Sequence, residues 1–333
     1  MKYEPHTRVS SPIKLDLKDK KILKHLEDNS RQSYSQIAKK TALSKDSVRY
    51  RIKQLEEKGV IQEYKVVVDM KKLGYRAYHL FITLNNPEPE LEKEYIEKLK
   101  SFPFVRAVIK FNGDYDFEVA IIAKDINTLD NNLSELLSSM NKYIKKRELL
   151  IVVKGLVGRT LPKNFLDLEI KNKPKKHKQI KIEDKDLEIL KAMQREANIP
   201  TYLIAKKTKL TPDIVSYRLK KMEEGGFIIK YTPAINYYAL SYQVYAILLS
   251  IDSFYDKTEN KLKSFLEKDE NVLWAVKTIG RYNTMIYICT EKANQLHETL
   301  NHLRTNFDVK NYKTLIAYKE YKYTYFPNLF LME

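Results

Sequence analysis

The sequence is poor in the residues that mark disulfide-stapled or membrane-embedded proteins. Its 333 residues include one cysteine, one tryptophan and eight glycines. A single cysteine, Cys289, excludes a disulfide framework and argues against a structural thiolate metal site. The apolar runs fall well short of the ~20 residues that a membrane helix needs, and MKYEPHTRVSSPIKLD lacks the apolar core of a signal peptide. We therefore expect a cytoplasmic protein with no membrane partner.

Motifs of common enzyme classes are also missing. The sequence contains no phosphate-binding P-loop and no serine-nucleophile elbow. The histidines show no metal-ligand spacing; they are His6, His25, His79, His177, His297 and His302. We therefore expect no catalytic residue, no cofactor and no metal.

Basic charge is what the chain has in excess. It carries 60 Lys and Arg against 43 Asp and Glu, a formal net charge of +17. Such an excess favours a polyanionic partner and says nothing about the fold. The hydrophobic content of 43% suffices for ordinary packed cores, and the length predicts about two to three domains.

One long segment occurs twice. Residues 37–61, IAKKTALSKDSVRYRIKQLEEKGVI, align without a gap with residues 204–228, IAKKTKLTPDIVSYRLKKMEEGGFI. The correspondence continues far downstream, where Gly113 matches Gly280 and Lys154 matches Lys319. A repeat this long indicates the duplication of a domain pair and not a solenoid.

Each half begins with helical spacing and then changes to alternating strands and helices. In half one the strand-like segments are YRAYHLFITL, FVRAVIKF, YDFEVAIIA and ELLIVV, and helical segments follow the first and third of them. This β-α-β-β-α-β order predicts a ferredoxin-like domain, and half two repeats it. Asn112-Gly113 predicts a two-residue hairpin with positive φ at Gly113, and Asp114 and Asp116 would then be solvated.

The predicted fold class is α+β: a helix-turn-helix domain of the winged-helix type followed by a ferredoxin-like βαββαβ domain, with this pair present in two tandem copies. The predicted segments are an N-terminal extension (1–14), helix-turn-helix domain 1 (15–68), ferredoxin-like domain 1 (69–162), a basic linker (163–181), helix-turn-helix domain 2 (182–235) and ferredoxin-like domain 2 (236–333).

The helical unit of half one is predicted to be a helix-turn-helix. Ser33 and Ser44 are good N-caps for the second and third helices. In the third helix, Val48, Ile52 and Leu55 are spaced by four and three and predict a buried stripe. A short turn between the second and third helices is typical of this motif.

The outward face of that third helix is cationic. Lys45, Arg49 and Lys53 recur every four residues, with Ser47 and Tyr50 beside them. A recognition helix needs such side chains to meet base edges and phosphates. Arg51 lies near the buried stripe, where an ion pair and a phosphate contact are equally consistent with the pattern.

The second copy keeps the core but changes this face. Its core residues are Val215, Leu219 and Met222, and Thr211 keeps the cap. The outward row becomes Pro212, Ser216 and Lys220, and Ile214 replaces Ser47. We therefore predict that both copies fold alike and read DNA differently.

The segment LDLKDKKILKHLEDNSRQSYSQIAKKTALSKDSVRYRIKQLEEKGVIQEYKVVVDMKKLGY resembles the DNA-binding half of the Lrp/AsnC regulators. GDYDF at 113–117 is similar to a motif of the effector domain of that family. The resemblance covers nearly the whole chain, twice. It implies a helix-turn-helix joined to a ferredoxin-like domain that assembles into dimers and binds small effectors, often amino acids.

The resemblance also implies site residues. The DNA-facing residues would be Tyr34, Ser35, Ser44, Lys45, Ser47, Arg49, Tyr50 and Lys53 in half one, and Thr211, Ser216, Tyr217, Arg218 and Lys220 in half two. The effector site would include Gly113, Asp114, Tyr115 and Asp116. In half two the motif is GRYN, so Arg281 and Asn283 replace the two carboxylates that would meet an α-ammonium group.

These features predict a sequence-specific transcription regulator that binds double-stranded DNA. The two halves would pair within one chain as a pseudo-dimer with unlike readers, and chains would associate further into a homo-oligomer. A second interpretation is a DNA-coating chromatin protein with little sequence preference.

The third interpretation is an enzyme, because the architecture also resembles sirohaem decarboxylases, which are built from two Lrp-like halves. That chemistry implies histidine and arginine near a tetrapyrrole carboxylate, yet VRAVIKFNGDYDF and VLWAVKTIGRYNTM contain no histidine. Arg106, Lys110, Lys277 and Arg281 could hold a carboxylate or be solvated charges at strand edges.

Overall fold

The computed structural model describes residues 12–85, 88–138, 143–168, 178, 180–194, 196–252 and 255–326. Most of the predicted N-terminal extension and of the basic linker, with His6 and His177, lie outside these residues. The chain forms two compact units. One contains Ile13–Gly74 and Leu166–Asn236, and the other contains Tyr75–Phe165 and Tyr237–Tyr323.

The helices and strands follow one another in the same order in both halves. The helices are α1 (Leu17–Asp28), α2 (Tyr34–Thr41), α3 (Lys45–Glu57), α4 (Pro89–Ser101), α5 (Ile126–Ser138), α6 (Asp184–Ala192), α7 (Thr201–Thr208), α8 (Pro212–Glu224), α9 (Asp256–Lys268) and α10 (Ala293–Asn306). The strands are β1 (Ile61–Val68), β2 (Arg76–Leu84), β3 (Val105–Asn112), β4 (Phe117–Ala123), β5 (Ile144–Gly158), β6 (Ile228–Ile235), β7 (Gln243–Ile251), β8 (Val272–Ile279), β9 (Thr284–Thr290) and β10 (Val309–Tyr323).

Caps and apolar spacing define the helix-turn-helix domains, as predicted. Ser33 accepts from the backbone N–H of Gln36, whose side chain bonds back, so that α2 begins with a capping box. Ser44 accepts from Ser47 N at 3.1 Å and begins α3. Gly59 has a φ of +72° after the end of α3, a conformation that glycine adopts without steric cost.

The two helix-turn-helix domains share one small sheet. Strand β1 pairs with β6 in antiparallel fashion, so that Tyr64 lies opposite Pro233 and Val66 lies opposite Tyr231. Arg31, which precedes α2, donates to the carbonyls of Ala197 and Ile199 in the second copy, at 2.7 and 2.9 Å. The two copies are therefore joined by backbone pairing and by the half-buried guanidinium of Arg31.

The other unit contains two four-stranded antiparallel sheets with the ferredoxin-like strand order. Half one has the spatial order β5-β2-β4-β3, and half two has β10-β7-β9-β8. The sheets join edge to edge where β5 pairs with β8 and β3 pairs with β10. An eight-stranded sheet thereby closes on itself.

Alternate residues of each strand face different sides of the closed sheet. In β2, Leu80 and Ile82 pack in a core with residues of α4 and α5, such as Leu99 and Leu136. Their neighbours His79 and Phe81 are also buried, and they point to the opposite, inner face. In half two, Ile247 and Leu249 of β7 pack with residues of α9 and α10, such as Leu262 and Leu303, in the same way.

The predicted two-residue hairpin at Asn112-Gly113 is wrong. Strand β3 ends at Asn112 and β4 begins at Phe117, so residues 113–116 form a four-residue loop. The loop is longer because Asp116 bonds to a neighbouring strand, donating its backbone N–H to Ile82 O at 2.8 Å. Gly113 has a φ of +145°, as the prediction of positive φ requires.

Candidate DNA-binding surface

Helix α3 presents the cationic row that the sequence predicts. Val48, Ile52 and Leu55 are buried, which places Lys45, Arg49 and Lys53 on the opposite, exposed side. The side chain of Lys53 is 71% exposed and lies 3.4 Å from Glu57. A pair this exposed contributes little stability and leaves the ammonium group accessible.

Polar and aromatic groups border this row. Tyr50 is 64% exposed, Tyr34 and Ser35 at the start of α2 are exposed, and Ser47 is half-buried beside the cap. Ser44 is exposed, and its Oγ is already used as the N-cap. Hydroxyl and aromatic groups beside cations are the side chains that contact phosphates and base edges in DNA complexes.

The second surface, on α8, has the same type of N-cap and the same buried stripe as α3 but less positive charge. Thr211 accepts from Ile214 N at 3.3 Å and caps the helix, whose first residue is Pro212. Ser216 and Tyr217 are exposed, and the Lys220 side chain is 76% exposed. This row therefore holds one cation where α3 holds three.

Arg218, which was predicted among the DNA-facing residues, lies beside that exposed row and is engaged in ion pairs. Its guanidinium donates to Asp186 at 3.0 Å and to Glu183 at 3.1 Å, and its side chain is only 14% exposed. These hydrogen bonds raise the pKa of Arg218, the bond to Asp186 foremost. The guanidinium ties α8 to α6.

Arg51 has the same role in the first copy, and the structure decides the alternative left open by the sequence. It donates to Asp16 and to Asp19, both at 2.7 Å. These side-chain hydrogen bonds, first that of Asp19, raise the pKa of Arg51. Arg51 is a structural ion-pair residue between α3 and the start of α1.

Two exposed residues of the second surface were not predicted as site residues. Tyr202 in α7 is 63% exposed, and Ile214 at the start of α8 is 41% exposed. Tyr202 corresponds in the repeat to Ser35, which was predicted to face DNA, and this correspondence is the signal that could have found it. The second surface is thus more apolar as well as less cationic.

The loop predicted to bind an effector has a different arrangement from the solvated turn expected of it. Asp114 forms an ion pair with Lys313 of β10, and this hydrogen bond lowers the pKa of Asp114. The Asp116 carboxylate accepts from Leu84 N at 2.7 Å. Tyr115 is fully buried, and the ammonium of Lys146 lies 4.6 Å from its ring centroid.

The corresponding loop of half two, residues 280–283, keeps the side-chain bond to the neighbouring strand but has neither carboxylate. Asn283 accepts from Ile251 N at 3.0 Å and donates to Ile251 O at 2.7 Å, the place that Asp116 fills beside Leu84. Arg281 stands where half one has Asp114. The two loops therefore share a fold and differ in charge.

Neither a metal site nor a membrane-spanning helix occurs in the part of the chain that the structure describes. No group of three or more His, Cys, Asp or Glu side chains there could hold a metal ion. Within the same residues, no helix is both long and apolar enough to cross a membrane.

Comparisons with known proteins agree with the exposed helices. A family model described as winged helix-turn-helix DNA-binding matches residues 15–62 and 182–229. The HTH-type transcriptional regulator LrpA of Pyrococcus horikoshii is 36% identical over 140 residues, which cover 42% of this chain and 98% of that protein. LrpA of Pyrococcus abyssi is 37% identical over 131 residues, covering 39% of this chain and 92% of that protein.

Fold, surface and relatives define a DNA-binding transcription regulator. The chain belongs to the Lrp/AsnC family, and it carries the unit of that family as a tandem duplication. The predicted family and fold class are thereby confirmed.

Two solved structures of the siroheme decarboxylase NirDL match nearly the full length, one of them in co-complex with an iron-uroporphyrin III analogue. The siroheme decarboxylase NirDL has a TM-score of 0.61, and the match covers 94% of this chain and 97% of that one. The sequence identity is 14%, so the likeness shows a shared two-half fold and nothing about chemistry.

Proposed function

We propose that this regulator recognises a specific, asymmetric DNA site through two unlike helices, with α3 the dominant reader. The observation that supports this proposal is the exposed row of Lys45, Arg49 and Lys53 on α3. The equivalent row on α8, a helix of the same length, consists of Pro212, Ser216 and Lys220. Cations supply both phosphate affinity and bidentate contacts to guanine, so their loss from α8 weakens that reader.

Selection of genomic fragments bound by the purified protein tests this proposal. The expected result is an enriched motif with one strong and one weak half-site. Arg49→Ala should weaken the affinity about 10-fold or more, and Ser216→Ala less than about threefold. Lys93→Ala is a matched charge control, since Lys93 is exposed on α4, which belongs to the other compact unit.

Two outcomes would contradict the proposal. Two equivalent, symmetry-related half-sites with equal losses from Arg49→Ala and Ser216→Ala would remove the asymmetry. A selection that enriches no motif would favour the DNA-coating interpretation instead.

We also propose that the loop of half one, residues 113–116, is the effector site and takes an amino acid. The support is the Asp114 carboxylate, which already holds one ammonium group, that of Lys313, and which an α-ammonium group would take over. The loop of half two offers Arg281 at this position and would bind a carboxylate instead.

Calorimetric titration with single amino acids tests the effector site. Binding to the parent protein and its loss in Asp114→Ala are expected, with Arg281→Ala as the matched change in half two. If no amino acid binds, or if binding survives in Asp114→Ala, the loop is not that site.

We further propose that the protein acts without enzymatic chemistry. The support comes from two of the cations that could hold a tetrapyrrole carboxylate, since both face helix carboxylates. Lys110 forms an ion pair with Glu92, and Lys277 lies 2.8 Å from Glu259. Incubation of the purified protein with sirohaem should leave its absorption spectrum unchanged, and turnover or tight binding would favour the enzyme.

Association of chains is part of the proposal. Ile279 at the end of β8 is 61% exposed, and Ile316 in β10 is 41% exposed. Each lies on a strand that joins the two halves of the closed sheet, and an exposed isoleucine there favours burial against another chain. Sedimentation should show species larger than one chain, reduced by Ile279→Lys but not by Ile126→Lys, a matched change at an exposed residue of α5.

A further inference from the structure

The closed sheet has two junctions between the halves of the chain, and their residues are not alike. One junction is formed by β3 and β10, and the other by β8 and β5. Strand β8 is the copy of β3, and β5 is the copy of β10. In a symmetric dimer of single units the two junctions would be identical, so any difference between them has arisen in this chain.

The largest difference is in side-chain size. In the first junction Ala107 lies opposite Tyr323. At the same register position of the second junction, Trp274 lies opposite Gly158. Each junction thus pairs one large with one small residue, but the large residue is in β10 in one case and in β8 in the other.

A pair of two first halves, or of two second halves, would lack this match between a large and a small residue. We call such pairs like halves. Two copies of half one would bring Ala107 opposite Gly158 and leave space unfilled. Two copies of half two would bring Trp274 opposite Tyr323, two large side chains on the same side of the sheet. Ala107 is buried, so unfilled space beside it would cost stability, and the half-buried Trp274 and Tyr323 would compete for one position.

A buried polar cluster has the same dependence on both halves. The Glu118 carboxylate, in a residue only 1% exposed, contacts His79 Nδ1 at 2.6 Å and accepts a hydrogen bond from the Tyr287 hydroxyl. The copy of Tyr287 in half one is Ala120. A pair of first halves would keep His79 beside Glu118 but would remove the hydrogen bond from the Tyr287 hydroxyl, and losing a hydrogen bond to a buried carboxylate is costly.

The aromatic ring of Trp274 completes this cluster from half two. Its centroid lies 5.6 Å from that of His79 and 5.8 Å from that of Tyr287. The copies of Trp274 and His79 in the other half are Ala107 and Ala246. The inner face therefore interlocks large residues of one half with small residues of the other.

Charge at the two loops follows the same rule. Gly113 comes so close to β10 that an added Cβ would lie 3.1 Å from Leu315 Cδ2, and there Asp114 pairs with Lys313. The loop of half two approaches β5 in the same way. There the loop carries Arg281, the copy of Asp114, and β5 carries Glu148, the copy of Lys313. A pair of first halves would set Asp114 against Glu148, and like charges repel.

We propose that these residues make each half selective for the other half and exclude pairing between like halves of different copies. Size, hydrogen bonding and charge are independent kinds of complementarity. The size match occurs at both junctions with the roles of the halves exchanged, and the hydrogen bond from Tyr287 to Glu118 needs one residue from each half. Each closed sheet then contains one half of each kind, which keeps the two DNA readers unlike. The proposal does not depend on DNA binding and would stand if the proposed function failed.

Competition between halves in the folded protein tests the selectivity. A protease site inserted between Phe165 and Asp184 allows the folded full chain to be cut, which removes the effect of the covalent link. Cut protein with and without isotope labels is mixed, unfolded in urea, refolded and analysed by native mass spectrometry. Only pairs of one N-terminal with one C-terminal fragment are expected, and pairs of like fragments would overturn the proposal.

Exchange of sizes across the junctions tests the mechanism in the uncut chain. The double variant Ala107→Trp with Trp274→Ala creates a large–large and a small–small pair, and should lower Tm by about 5 °C or more. Adding Tyr323→Gly and Gly158→Tyr restores one large and one small residue at each junction and should recover part of the loss, since the Trp274 ring stays absent from its cluster with His79 and Tyr287. An unchanged Tm in the double variant, or no recovery in the fourfold variant, would contradict the size match.

Discussion

Arg51 of α3 donates a hydrogen bond of 2.7 Å to Asp19 of α1, and it makes a second bond of the same length to Asp16. The bond to Asp19 spans two helices and orients the helix that carries the exposed cations. The same bond recurs between Arg218 and Asp186 in the second copy. This arginine therefore fixes the position of the helix that carries the exposed cations.

Arg51→Gln should separate stability from DNA affinity. Loss of a partly exposed ion pair is expected to lower the free energy of unfolding by about 1 kcal/mol. DNA affinity at temperatures well below Tm should fall much less than in Arg49→Ala. Urea unfolding and fluorescence anisotropy on the same samples measure both, and Arg218→Gln is the matched change. If Arg51→Gln lost as much DNA affinity as Arg49→Ala, Arg51 would be a DNA-contacting residue.

Lys53 and Lys220 occupy equivalent positions, and their salt dependence should differ. Each sits four residues before a glutamate, at 3.4 and 3.9 Å, so their local environments match. If Lys53 neutralises a phosphate, Lys53→Ala should reduce the slope of log K against log salt by about 0.9. Lys220→Ala should change it less, and equal slopes for both variants would contradict a dominant α3.

Asn283 should be more important to stability than to ligand binding. It makes two hydrogen bonds with the backbone of Ile251, so Asn283→Ala should lower the free energy of unfolding by about 1–3 kcal/mol. Asp116→Asn is the matched control, because it keeps an acceptor for Leu84 N and places in loop one the residue type of loop two. Thermal unfolding checks both, and an equal loss from both would show that the carboxylate itself is needed.

Lys322 should make stability depend on pH in the alkaline range. It donates to the carbonyls of Lys100 and Phe102, and burial, with a smaller effect of the Lys100 charge, lowers the pKa of Lys322 to about 8. An unfolded lysine has a pKa of about 10.4, so between these values the unfolded chain binds more protons than the folded one. Stability should therefore gain from this group as pH rises from about 8 to about 10.4.

Lys322→Met removes that gain. The difference in Tm between the parent protein and the variant should move in favour of the parent protein as pH rises through this window. Lys319→Met, in the same strand, controls for the general titration of lysines. A difference that stays constant with pH would show that the Lys322 pKa is not lowered in the folded state.

Local features of the site were predictable. The caps Ser33, Ser44 and Thr211 and the buried stripe of Val48, Ile52 and Leu55 depend on residues three or four apart, which the sequence displays directly. The exposure of Arg49 and Lys53 follows from the same spacing. The domain order was readable for the same reason, since the period changes from helix to strand within each half.

Arg218 and the loop at residues 113–116 were not predictable in the same way. The partners of Arg218 lie more than thirty residues away in α6, and Asp116 is held by a strand from another part of the domain. Helical spacing places Arg218 near the exposed face, and only its distant carboxylates turn it inward. The Asn112-Gly113 pair favours a tight turn, but the bonds of Asp116 to β2 require a longer one.

The sequence by itself determined that the chain is a duplicated Lrp/AsnC unit, how each helix begins, and that the exposed row of α8 is less cationic than that of α3. These properties are local or compositional. Only the tertiary structure decided that β1 pairs with β6, that β3 and β5 pair with β10 and β8, and that Trp274 lies opposite Gly158. The edge of a strand presents the same backbone groups whatever its sequence, so its partner is chosen by the side chains that must pack across the junction.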